Sequence, residues 1–130
     1  MFDDPKGPID HFSWASFIIA GKQHGVGDEG KIGAGKDVRV IGLEVSAWKE
    51  RHGHLLEPEM ITGVYGKGIE ILVIGNGVDQ ALQCPDKVVA SIRKHGISEV
   101  IIEATPNACK TYNRLYHSGK KIALLAHGTC

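Results

Sequence analysis

The sequence predicts an α/β fold built on a mainly parallel sheet. Three observations carry that prediction. Short, nearly continuous apolar runs occupy residues 69–74, 100–102 and 122–126, the mark of strands covered on both faces. Helical spacing fills the stretches between them, and prolines and glycines punctuate each helix. Strand–helix–strand units joined in this way make right-handed crossovers and parallel pairs.

Before about residue 50 the rhythm differs. Residues 12–19 read as a strand that ends in a hairpin turn at Gly21-Lys22. Val38–Ile41 and residues 43–45 alternate apolar and charged side chains, as half-exposed antiparallel strands do. Residues 25–36, rich in glycine and charge, read as a long loop. The chain therefore reads as a single domain, 1–130, with a β-rich half over about 10–50 and an α/β half over about 56–130.

In the second half, Pro58, Pro85 and Pro106 each stand where a first helical residue belongs, because the missing N–H costs nothing there. Thr105 is the N-cap candidate of the third helix. Gly96 and Gly119 follow basic residues and stop the second and third helices. Val88, Val89 and Ile92 share one helix side; Ala108, Cys109, Tyr112, Leu115 and Tyr116 share another, so Cys109 reads as core.

Composition limits the function. Lys+Arg and Asp+Glu both number 15, so no basic field is available for a phosphate backbone, and nucleic acid is not expected as a partner. The N-terminus lacks the layout of a signal peptide, and no apolar run reaches membrane-spanning length. Three cysteines without framework spacing fit a reducing cytoplasm.

If the sheet is parallel, the turns after the three buried strands emerge at one edge, where open α/β sheets bind ligands. Those turns are Gly75-Asn76-Gly77, Ala104-Thr105-Pro106 and His127-Gly128-Thr129-Cys130. The last places an imidazole, a hydroxyl, a thiol and the α-carboxylate directly after a core strand, so that end is expected to be used or tied down. Asn76, Gly77, Thr105, His127, Thr129 and Cys130 are therefore candidate ligand-binding residues, with Lys49 and Arg51 as candidate anion contacts.

Other chemistry is less complete. Residues 30–36 carry the spacing of a phosphate-binding loop, but Asp37 stands where a hydroxyl should meet magnesium, and a strand follows instead of a helix. His127 and Cys130 would make a thiolate–imidazolium pair, yet no third residue visibly orients the imidazole, and an adjacent carboxylate opposes the thiolate. His52-Gly53-His54 with His127 and Cys130 can be assembled into a metal set, but that spacing is weak and paired cysteines are absent. No catalytic residue, metal or cofactor is assigned.

Four segments carry a family resemblance: Trp48-Lys49-Glu50-Arg51-His52-Gly53-His54, Ile74-Gly75-Asn76-Gly77, residues 105–113 with Tyr112-Asn113, and His127-Gly128-Thr129-Cys130. Together they resemble a family of small domains of unknown function that includes the human adipogenesis-associated domain protein and a mitochondrial complex I assembly factor, with archaeal and bacterial relatives. The resemblance implies a three-layer α/β fold: a central mixed, mainly parallel sheet with helices, plus an additional N-terminal antiparallel β layer. It brings no established enzyme activity. The expectation is a non-enzymatic cytoplasmic module that binds another protein or aids assembly. The alternative is a protein or enzyme that takes a small anionic metabolite in a cleft at the carboxyl ends of the strands.

Overall fold

The computed structural model describes residues 1–25 and 37–130. The long loop and the phosphate-loop-like stretch expected before Asp37 fall on residues 26–36, outside the described residues; Gly25 itself closes a strand.

The first sheet is antiparallel, in the order β1 (Phe2–Asp3), β2 (Ile9–Ser13), β3 (Ser16–Ile19), β4 (Lys22–Gly25). The single strand expected over residues 12–19 is in fact two. Ser13 pairs with Ser16, and the chain reverses through Trp14-Ala15, with Ala15 at φ +57°. The second reversal uses Ala20-Gly21, both at positive φ, one residue earlier than expected. Two consecutive positive φ values match the right-handed twist of the flanking strands. Phe12, Phe17, Ile9 and Ile19 are buried on one face.

The second sheet is mixed, in the order β6-β5-β9-β7-β8, with β5 (Val38–Ile41), β6 (Glu44–Ala47), β7 (Ile71–Gly75), β8 (Glu99–Glu103) and β9 (Ile122–Ala126). β7 lies parallel to both β8 and β9, while β5 runs antiparallel to β9 and to β6. Two of the four pairings are thus parallel. The alternating hairpin β5–β6 extends this sheet and does not join the first one.

Period-two alternation divides the side chains of the mixed sheet between two cores. Ile71, Val73, Leu124 and Ala126 meet the first sheet and α2 (Thr105–His117) through Ala108, Cys109, Tyr112 and Leu115. Leu72, Ile74, Ala123 and Leu125 meet α1 (Asp86–Lys94) through Val88 and Ile92, together with Trp48, Leu56 and Met60.

The helix starts differ from expectation. Pro58 opens only a 3-10 turn, Pro58–Met60, because Ile61 is already extended (φ −82°, ψ 99°). Pro85 is the residue before α1, not its first. Thr105 is the first residue of α2 and not its cap; its hydroxyl is engaged elsewhere. Gly96 and Gly119 follow the two helices at positive φ, as their sequence predicts.

Asn113 ties α2 to the first sheet. Its Oδ1 accepts from the Ile9 N–H at 2.9 Å, and its Nδ2 donates to the Ile9 carbonyl at 2.9 Å and to Asp4 at 3.0 Å. Tyr112 Oη donates to the Gly42 carbonyl at 2.7 Å and holds the β5–β6 turn. The Tyr-Asn pair is thus a structural clamp.

Candidate functional site

Strand register brings the site together. In the parallel set Gly75 aligns with Glu103 and with Ala126, so Asn76, Ala104 and His127 leave the sheet at the same edge. In the antiparallel pair Val38 faces Ala126, so the residue before β5, Asp37, faces the residue after β9, His127.

Asp37 is the residue that sequence reasoning missed. It is 3% exposed, and its Oδ1 accepts from His127 Nδ1 at 2.9 Å and from the Gly128 N–H at 3.0 Å. Its Oδ2 accepts from Arg51 Nε. Burial pushes the Asp37 carboxyl up, but the hydrogen bonds from His127, Gly128 and Arg51 and the guanidinium charge outweigh that cost and hold it below its ordinary value. An ionised carboxylate only accepts, so Nδ1 of His127 must carry a proton, and in the neutral ring Nε2 is then the nitrogen with the lone pair. The orienting residue absent from the local sequence is therefore present in the fold. No local pattern signals it, because its role rests on the antiparallel pairing of β5 with β9.

Arg51 also donates Nη1 to the Gly53 carbonyl at 2.5 Å and so fixes the turn before His54. The anion that Arg51 holds is the chain's own Asp37. His54 is pinned further where its carbonyl accepts from Gln83 N–H at 2.8 Å. Lys49 is exposed and, among the described residues, makes no hydrogen bond or ion pair with this cluster.

Around His127 Nε2 stand Thr129 Oγ at 3.3 Å and Cys130 Sγ at 4.0 Å. His54 Nε2 approaches the same sulfur to 3.3 Å. His54 is exposed, His127 buried and Cys130 half-buried, so the cluster opens to solvent on one side. His52 is exposed and is not part of this cluster.

The remaining sequence candidates form the frame behind it. Thr105, fully buried, accepts from the Gly77 N–H at 2.9 Å and donates to the His127 carbonyl at 2.7 Å, linking the ends of β7, α2 and β9. Gly77 has φ +105°, and a Cβ there would collide with the main chain of Cys130. The Val78 N–H donates to the Thr129 carbonyl at 2.7 Å, and those of Asp79 and Ala81 donate to the main-chain oxygen of Cys130 at 3.1 and 3.0 Å. At the turn expected to cradle an anion, the Asn76 N–H donates to the Glu103 carbonyl at 2.9 Å and the Gly77 N–H to Thr105 Oγ, while the amides that follow bind main-chain oxygens of residues 129 and 130. The first hairpin closes the other side, with the Ala15 N–H 2.6 Å from the Gly128 carbonyl. Asn76 Oδ1 is buried with no hydrogen-bond partner among the described residues.

Comparison with known proteins fits this architecture. The chain is similar over 52 residues, at 42% identity, to human NADH dehydrogenase [ubiquinone] 1 alpha subcomplex assembly factor 3; the match covers 40% of this chain and 27% of that protein's length. Among solved structures, a conserved hypothetical protein from Pyrococcus horikoshii OT3 superposes with a TM-score of 0.73 at 20% identity, covering 94% of this chain and 98% of its own. An outer membrane protein from Bartonella henselae gives 0.73 at 22% identity, with 95% of each chain covered. At those identities the two structures share the fold and nothing more specific. The family model described as "Protein of unknown function (DUF498/DUF598)" matches residues 9–127, and the chain therefore belongs to that family.

Proposed function

We propose that residues 1–130 act as one non-enzymatic protein-binding unit that aids the assembly of a larger complex. The observation that carries this reading is the 52-residue match at 42% identity to a protein named as an assembly factor. The match spans about a quarter of that protein.

A surface suited to such a role lies at the sheet edge opposite the His127 cluster. There an open groove of about 770 Å³ runs between the β5–β6 turn and the segment leading into β9. Its apolar lining is Ile41, Leu43, Ile69, Tyr116 and Ile122, and Lys67, Lys120 and Lys121 outnumber Glu44 beside it. Leu43 is 54% exposed. Lysines around an apolar floor favour a partner segment that carries acidic residues next to an apolar anchor. The metabolite reading has less support, because the amides at Gly77, Val78, Asp79 and Ala81 are already bonded within the chain.

The two apolar cores on opposite faces of the mixed sheet support a three-layer arrangement, with the first sheet and α2 on one side and α1 on the other. All three cysteines are free, which supports a reducing, cytoplasmic setting. Among the described residues no helix is long and apolar enough to cross a membrane, and equal counts of acidic and basic residues speak against a nucleic-acid partner.

The test is a photo-crosslinking amino acid placed at Leu43, with exposed Trp14 as the control site. A single reproducible polypeptide adduct from position 43, lost when Lys120→Glu and Lys121→Glu are combined, supports the groove as the docking surface. No adduct, or the same adducts from both positions, refutes it.

A further inference from the structure

We propose that His54, His127 and Cys130 form a three-ligand site for a tetrahedral divalent transition metal, zinc foremost, with Asp37 as its outer-shell carboxylate. One ring nitrogen of each histidine and the Cys130 sulfur all lie within 4.8 Å of one another, and both rings present Nε2 to Sγ. A tetrahedral zinc with Zn–S of about 2.3 Å and Zn–N of about 2.0–2.1 Å separates sulfur and nitrogen ligands by roughly 3.5 Å. The two sulfur–nitrogen distances, 3.3 and 4.0 Å, lie on either side of that value. The two ring nitrogens, within 4.8 Å of each other, must come to roughly 3.4 Å at a tetrahedral zinc, and the exposed His54 ring is the one placed to make that approach of about an ångström.

Tautomer and charge agree with this assignment. A metal-bound histidine normally donates its other ring N–H to a carboxylate or carbonyl, which fixes the ring and raises its basicity. His127 does this through Nδ1 to Asp37 at 2.9 Å, leaving Nε2 toward the cluster. The cation nearest to Asp37, Arg51, is neutralised by that carboxylate and therefore does not oppose a bound metal. Two imidazoles and one thiolate are a donor set for zinc, more than for magnesium or calcium, which prefer oxygen.

A catalytic thiol explains the same atoms less well. It needs one imidazole at hydrogen-bond distance, whereas here the closer ring, His54 at 3.3 Å, is exposed and the carboxylate-oriented ring stands 4.0 Å away. Two rings converging on one sulfur are what a metal requires.

On binding, the Cys130 thiol gives its proton to solvent, the two imidazoles contribute lone pairs, and the Thr129 hydroxyl gives up its 3.3 Å contact with Nε2. The fourth position falls to water or to a group from outside. No electron is transferred. The site lies at the opposite sheet edge from the proposed docking groove, so the two proposals stand or fall separately.

The test is a Co2+ titration of the full chain without a polyhistidine tag, followed by Zn2+ competition. The expected result is one equivalent bound, with the strong visible bands of tetrahedral cobalt and a thiolate-to-cobalt charge-transfer band, both removed by zinc. Cys130→Ser abolishes the charge-transfer band. His54→Ala, at an exposed position that leaves the core intact, weakens binding by more than about 100-fold, while Asp37→Asn weakens it by about 10–100-fold. A weak octahedral spectrum, a charge-transfer band that survives Cys130→Ser, or an affinity unchanged by His54→Ala would overturn the proposal.

Discussion

Asp37 and His127, separated by ninety positions in sequence, meet through a 2.9 Å hydrogen bond between Oδ1 and Nδ1, with both side chains almost fully buried. The contact follows from one register: β5 runs antiparallel to β9, and the residues flanking the Val38–Ala126 pair face each other. Arg51 completes the arrangement from the turn after β6. A carboxylate that accepts from an imidazole, an amide and a guanidinium organises everything at this edge of the sheet.

That carboxylate sets an acid limit on stability. The folded pKa of Asp37 lies below its unfolded value near 3.8, so its contribution is fully present above that value and disappears as pH falls through the folded one. Asp37→Asn leaves Arg51 without its counter-charge and should cost about 3 kcal/mol at neutral pH. Urea unfolding at a series of pH values checks this: the gap between wild type and variant should be constant near neutrality and shrink below about pH 4. A gap independent of pH would mean that the Asp37 charge contributes nothing.

Gly77→Ala should release the C-terminal segment without unfolding the sheet. The new Cβ meets the Cys130 main chain, and φ +105° suits only glycine, a combined cost of about 1–3 kcal/mol. Hydrogen exchange should accelerate at Val78, Asp79 and Ala81, whose amides bind Thr129 and Cys130, while β7 and β9 amides stay protected. Uniform loss of protection would show that the segment is not a separate unit.

Much of this was legible in the residues. Ile122–Ala126 reads directly as a buried strand because it is short, apolar and flanked by polar turns, and the faces of α1 and α2 follow from 3.6-residue spacing. Gathering Asn76, Thr105 and His127 at one edge needed only parallel crossovers. Asp37 was not legible, because its meaning depends on a pairing between strands about ninety residues apart, which no local pattern encodes. Thr105 misled for the opposite reason: a threonine before proline looks like a cap, but tertiary partners claimed its hydroxyl. The break at Trp14-Ala15 was hidden because alanine carries no turn signal.

Asn113→Ala should destabilise the chain at the joint between α2 and the first sheet. It orphans the N–H and carbonyl of buried Ile9, at about 1–3 kcal/mol for each unpaired group. Chemical denaturation gives the size, and exchange at Ile9 gives the place. A loss below about 0.5 kcal/mol would indicate that water replaces the amide there.

The three thiols should differ in native alkylation. Cys109 is fully buried, with its pKa pushed far up, and should stay unmodified. Burial raises the Cys84 thiol to about 11, which makes it slow. Cys130, at the open side of the cluster, should react first. Mass spectrometry of peptides from a labelling time course reads the order; early modification of Cys109 would contradict the packing of α2.

Asp37 presets His127 so that Nε2 faces the side of His54 and Cys130. Nitrogen-15 NMR of the imidazole side chains tests it most directly, because the two ring nitrogens differ in shift according to which carries the proton. Neutral His127 should hold its proton on Nδ1, and Asp37→Ala, which removes the acceptor, should abolish that preference. A neutral His127 protonated on Nε2 in the wild-type protein would mean that Asp37 does not set the ring.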